Sequence, residues 1–189
     1  MLFTLPMGRL MPLAGTLLLA AMAAPAATLQ QMSLEDLAQQ STAIVWGRAG
    51  SQRVARDGPL IYTLTRLEIL EQWKGQPASE FEIALPGGRL GDLSQRFGGV
   101  PQLESGSEFL VFLWTGPSGR TQITGLSQGL FELLRQEGRP LRVVRKPSAE
   151  LMLAPGSATP VESPAIDMPL ADFIARIQSA LASRRNVRP

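Results

Sequence analysis

"SEFLVFLWTG", residues 107–116, is the stretch on which the fold turns. Phe109, Val111 and Leu113 alternate with Leu110, Phe112 and Trp114, so an extended chain here is apolar on both faces. The turn residues Thr115-Gly116-Pro117-Ser118-Gly119 end the run. A short apolar run closed by such a turn reads as a central strand buried on both sides.

Strand patterns lie on either side of it. Upstream, Phe81, Ile83 and Leu85 alternate with Glu80, Glu82 and Ala84, which predicts a half-buried strand. The longer run from Leu60 to Trp73 places Ile61, Thr63, Thr65, Leu67 and Ile69 on one face. Its length predicts a bend, with a bulge near Glu68–Glu71, and Lys74-Gly75 ends it. Before it, Ala43–Gly47 is a compact β run, and Arg56-Asp57-Gly58-Pro59 is turn chemistry. Downstream, Thr121–Leu126 and Leu130–Arg135 read as strands interrupted at Gln128-Gly129. Gln136–Pro140 then reads as a hairpin turn, and Leu141–Val144 as the returning strand.

Helices flank the strands. Ser33 can cap a short helix, with Asp36 three residues on and Leu34, Leu37 and Ala38 on the apolar face. Leu170, Phe173, Ile174, Ile177 and Leu181 mark one face of a closing amphipathic helix, with Asp167 as its expected cap. The predicted fold is mainly β. It is a small OB-like antiparallel barrel, closed or partly open, over residues 27–146, with a short N-terminal helix and a C-terminal amphipathic helix over 170–184. Residues 147–169, rich in Pro, Ser and Ala, read as a linker, and 185–189 as a basic disordered tail.

Residues 1–26 read as a secretory signal peptide: one positive charge at Arg9, an apolar run to Ala24, and small residues at Ala24 and Ala26. Cleavage after Ala26 is expected. With no cysteine to carry a lipid, no stable membrane anchor should remain. The expected location is the periplasm or the medium.

Composition removes chemistries. The 189 residues contain no histidine and no cysteine. This excludes thiolate nucleophiles, imidazole bases, Ser-His-Asp triads, Cys/His zinc sites and disulfides. Glu80 and Glu82 share a face, as a glycosidase pair would, but their plain reading is a solvated strand face. No catalytic residue, metal site or cofactor is predicted. Residues 28–134 carry a small acidic excess and 135–189 a small basic one. Nucleic-acid binders carry a stronger, clustered excess, so no nucleic-acid partner is expected.

The segment "ALPGGRLGD", 84–92, and the following "RFGGVPQL", 96–103, concentrate glycines. No glycine pair is followed by Lys-Ser or Lys-Thr, so this is not a phosphate loop. The glycines read as bends. The connection from 86 to 103 is long for a compact domain, and long ordered loops tend to carry function. Arg89, Asp92, Arg96 and Phe97 are therefore the candidate binding residues.

Taken in order, "STAIVWGRAG" (41–50), "IYTLTRLEILEQWKG" (61–75), "FEIALPGG" (81–88), "FGGVPQLESGSEFLVFLWTGPSGRTQITG" (97–125) and "QGLFEL" (128–133) resemble a group of uncharacterised exported bacterial proteins. More distantly, the order is similar to the OB-fold barrels of tissue inhibitors of metalloproteinases and netrin-like modules. The resemblance implies a barrel with Lys74-Gly75 at a strand end and Glu108–Trp114 on a central strand. Those inhibitors chelate zinc through an N-terminal cysteine, which this chain lacks. The leading functional expectation is an exported, non-catalytic binding or assembly module whose partner is another exported protein. The alternatives are a regulator of a secreted protease, and oligonucleotide or glycan binding on a barrel face. That last reading needs exposed rings, for which Trp46, Trp73, Trp114, Phe81 and Phe97 are the candidates, with core packing the plainer role for each.

Overall fold

The computed structural model describes residues 28–148 and 150–185. The expected signal peptide and residues 186–189 of the expected tail lie outside them. The described chain is mainly β, 48% strand and 16% helix.

The chain opens with β1 (Thr28–Gln30) and α1 (Leu34–Gln40). Ser33 caps α1 in a capping box: its hydroxyl accepts from the Asp36 N–H at 3.0 Å, and the Asp36 carboxylate accepts from the Ser33 N–H at 3.1 Å. Lys74 holds the other end, donating to the carbonyls of Ala38 (2.7 Å) and Gln39 (3.1 Å). A cation among the last carbonyls satisfies groups the helix cannot bond itself.

Two long strands follow, β2 (Ala43–Asp57) and β3 (Leu60–Lys74), joined at the expected Gly58-Pro59 turn. The pairing skips Leu70, between Trp46↔Glu71 and Gly47↔Ile69, which is the bulge expected in this region. β2 is ten residues longer than its apolar signal, which stopped at Gly47. Gln52 and Arg53 stay extended because they pair with Thr65 and Leu64 of β3, past a further register shift at Gly50-Ser51, not because their own pattern asks for it.

β4 (Glu80–Pro86) adds to β3; β5 (Gly88–Leu90) and β6 (Leu93–Gln95) form a separate hairpin. β7 (Glu108–Thr115) is the apolar run, and β8 (Thr121–Ile123) returns beside it. β7 pairs with β2, β2 with β3, β3 with β4, and β4 reaches β8 through one parallel pairing, Ile83↔Thr121. With β7–β8 the path closes on itself as a ring of five strands.

After a single 3-10 turn, Leu126–Gly129, the sheet extends on the other side of β7 through β9 (Leu130–Leu134) and β10 (Arg142–Arg145). Residues 147–169 hold three further short strands: β11 (Leu151–Leu153), β12 (Pro160–Val161) and β13 (Ile166–Pro169). β11 pairs in parallel with β1 and β13 antiparallel with β10, so the segment read as a linker is tied at both ends. Its composition gave no periodic signal because strands this short are held by their partners. The chain closes with α2 (Leu170–Arg185). Asp167 does not cap it: that residue lies inside β13, where its carboxylate accepts from Arg142 Nε at 2.7 Å.

β7 is apolar on both faces because it serves two cores. Phe109, Val111 and Leu113 fill the ring with Val45, Leu67, Ile83 and Leu85. Leu110 and Phe112 face the other way, against Leu37 of α1, Phe131 of β9, and Phe173 and Ile177 of α2. Trp114 breaks the pattern at 43% exposed. It stands at the end of β7, where its ring lies over Gly116, whose added Cβ would come within 2.8 Å of it.

Candidate functional site

The glycine segment forms a hairpin beside the ring, followed by an irregular loop. β5 and β6 pair as Leu90↔Leu93, Arg89↔Ser94 and Gly88↔Gln95, with Gly91 and Asp92 at the turn. Gly88 makes the close approach possible. Its φ is +139°, and a Cβ there would meet Thr63 Oγ1 at 2.9 Å and Val54 Cγ1 at 3.2 Å. Only glycine accepts both constraints.

Gln95 clamps the hairpin to the body. Its side-chain oxygen accepts from the Ile61 N–H at 2.7 Å, and its amide nitrogen donates to the Pro59 carbonyl at 2.8 Å. Thr63 Oγ1 donates to the Gly87 carbonyl at 3.0 Å, and the Gly87 N–H to the Ile61 carbonyl at 2.7 Å. The loop after β6 is fixed by its own plug. Leu103 is buried in the ring core, its carbonyl accepts from Gln52 Nε2 at 2.5 Å, and Ala49 bonds the backbone of Gly106 and Ser107.

Hairpin and loop together line a cleft of about 680 Å3. That volume lies within the range of small-ligand and peptide-segment sites. Three of the four candidate residues, Arg89, Arg96 and Phe97, line it; Asp92 does not. Arg89 Nε donates only to the Gly91 carbonyl within the hairpin, at 3.2 Å. Arg96 and Asp92 have no hydrogen bond or ion pair with any described residue. Leu90, Leu93 and Phe97 stand 40%, 53% and 43% exposed on the same hairpin and its exit. The sequence reading missed Gln95, Val100 and Leu103. The signal for Leu103 was present, an apolar residue in a polar loop, but nothing in the sequence gives its target.

The arginines of neighbouring strands are engaged. Arg53 grips Glu82 through two nitrogens (2.8 and 3.1 Å), Arg66 Nε binds Glu80 (2.6 Å), and Arg120 pairs with Asp57. Glu80 and Glu82 are thus ion-paired on an exposed face and do not form an acid–base pair. Glu108 is a hub: its carboxylate accepts from Arg48 (2.8 Å), Arg135 (2.9 Å) and Trp46 Nε1 (3.1 Å). The Arg48 bond first, then that of Arg135, holds the Glu108 carboxyl below its ordinary value.

Of the candidate stacking rings, Phe97 and Trp114 are each 43% exposed, and the others are covered or packed. The Arg135 guanidinium lies 5.5 Å over Trp46, and that of Arg120 lies 4.5 Å over Tyr62, which lines a second cavity of about 370 Å3. Trp73 packs on the helix-side core and Phe81 on the ring core. Among the described residues no group of three or more Asp or Glu is placed to hold a metal ion, and no helix is long and apolar enough to cross a membrane. No protein-family model, curated protein or solved structure matches the chain.

Proposed function

We propose that the protein is an exported, non-catalytic binding or assembly module built on an OB-like ring, and that its partner, another exported protein, docks at the cleft lined by Arg89, Arg96 and Phe97. One observation carries the reading. At this cleft two arginines that hold no carboxylate from the described residues stand with the exposed Phe97, on a hairpin clamped by four hydrogen bonds. Arg and aromatic side chains anchor interfaces, and a rigid platform lowers the entropy lost on binding.

The OB-like part of the proposal draws on the order of the ring. Its first, second and third strands are consecutive, the fifth lies between the third and fourth, and the third and fifth run parallel. That is a Greek-key path of the kind a small five-stranded barrel takes. The absence of histidine and cysteine supports the non-catalytic part. Oligonucleotide binding on the outer face finds less support, because Trp46 lies beneath an arginine and the neighbouring charges are paired with one another.

The test is a pull-down of the tagged protein from periplasm and medium, beside the double variant Arg89→Ala/Arg96→Ala. The variant should melt within about 1 °C of the parent, since exposed substitutions change stability by under about 0.5 kcal/mol, and should lose the partner. A partner retained by a folded double variant would move the site elsewhere. N-terminal sequencing of the recovered protein checks export and should begin near Ala27; recovery from cytosol alone, with Met1 intact, would refute it.

A further inference from the structure

Resting on that docking reading, we infer that the cleft takes an extended acidic segment of the partner polypeptide, added as a strand along the open edge of β6, with its carboxylates on Arg96 and Arg89.

The main chain supplies the first argument. β6 is bonded on one side only, because β5 and β6 form a two-stranded sheet of their own. In a hairpin closed by a two-residue turn, Leu90↔Leu93 and Gly88↔Gln95 are the pairs that exchange hydrogen bonds. Arg89↔Ser94 is the non-bonded pair between them, so Ser94 turns its N–H and C=O away from β5. An outward donor and acceptor on a short exposed strand is the template that strand addition uses. Ser94 and Arg96 both line the cleft, so this edge opens into it.

Charge supplies the second. Arg89 lies directly opposite Ser94, Arg96 follows the end of β6 by one residue, and both arginines line the same cleft. Arg53, Arg66 and Arg120 on or beside β2–β4 each hold a carboxylate. Arg89 and Arg96 hold none from the described residues. A strand laid along β6 would bring every second side chain toward the arginines, and although Glu104 also lines the cleft, the two unpaired guanidinium groups outnumber it, so their complement is carboxylate. The other face of the hairpin carries Leu90 and Leu93, exposed and apolar, so the fitting segment alternates acidic and apolar residues. A nucleic-acid strand would also satisfy arginines. It is disfavoured because Phe97 is the one exposed ring lining the cleft, whereas single strands stack successive bases on several.

The experiment pans a phage-displayed library of random linear peptides against the immobilised full chain. Enriched peptides are then made with a fluorophore and titrated by anisotropy. Alternating acidic–apolar sequences should be enriched. Their affinity should fall at least tenfold with Arg89→Glu/Arg96→Glu, and likewise when Gln replaces Glu in the peptide. Methylating alternate peptide amides should abolish binding, which tests strand addition while leaving the protein untouched. No enrichment, enrichment of neutral or basic peptides, equal binding by the charge-reversed variant, indifference to amide methylation, or tighter binding of an oligothymidylate would each overturn the inference. If the pull-down partner is lost with Arg89→Ala/Arg96→Ala while acidic peptides fail, this inference falls and the docking reading stands. If the partner is retained by that folded variant, the docking reading itself falls.

Discussion

Glu108 joins three strands through one carboxylate: its own β7, Arg48 and Trp46 of β2, and Arg135 at the end of β9. The arginines hold its folded carboxyl below the ordinary value of 4.5. A depressed carboxyl stabilises the fold above that ordinary value, and the contribution is lost as the pH falls through the folded one. Glu108→Gln should therefore lower Tm at pH 7 by about 1–4 °C, as expected of a surface ion network. The gap from the parent should close toward pH 3, and a gap unchanged between those pH values would refute the assignment. Phe112 sits at the opposite extreme, fully buried, with ring centroids 5.6 Å from Phe131 and 6.3 Å from Phe173. Phe112→Ala should cost about 3–5 kcal/mol in urea melts; a loss under about 1 kcal/mol would mean that β7 is not central. Thr65 faces the ring, fully buried, and its hydroxyl has no partner among the described residues. Burying an unbonded hydroxyl is costly, so Thr65→Val should hold or raise stability by up to about 1–2 kcal/mol. A clear loss would show that the hydroxyl is bonded in solution.

At the scale of elements, α2 covers the helix-side core. Phe173 and Ile177 are fully buried, Phe173 packs 4.9 Å from the Phe131 ring, and Arg176 binds Glu35 of α1 at 2.8 Å. The stripe of Leu170, Phe173, Ile174, Ile177 and Leu181 was legible from its helical spacing, and its members pack on this one core. Deleting residues 165–189 removes both α2 and β13 and uncovers Phe112, Phe131 and Val143. The truncated chain should melt lower and aggregate, read by size-exclusion chromatography and circular dichroism; an unchanged melt with a monomeric product would refute docking of α2. The strands were less evenly legible. β3, β4 and β7 carry their own alternation. The distal half of β2 and the strands β11–β13 do not, because a strand held by its neighbour needs no apolar signature of its own.

At the scale of the molecule, the two cores share their central strands. Ile44 points into the helix-side core and Val45 into the ring, and β7 divides its side chains in the same way. Neither core can open without stripping β2 and β7 from the other. Unfolding should therefore be a single transition, with near-UV and far-UV circular dichroism melting together and calorimetric and van't Hoff enthalpies agreeing. Separate transitions for ring and helices would contradict the shared-strand account.

The sequence by itself determined the mainly β class, the double-faced central strand, the capped first helix and the amphipathic last one. Each of these depends on local periodicity or on a capping residue beside its helix. It also determined which chemistries are closed, since histidine and cysteine are absent from the chain. Only the tertiary structure decided what the glycine segment does. Its bends were legible, and three of the four side chains chosen there line the cleft. That Asp92 does not line the cleft, that Gln95 clamps the hairpin, that Leu103 plugs the ring and that Trp114 stays exposed all depend on partners far along the chain. A residue's spacing tells which face of its own element it occupies; what lies opposite that face is fixed only when distant segments come together.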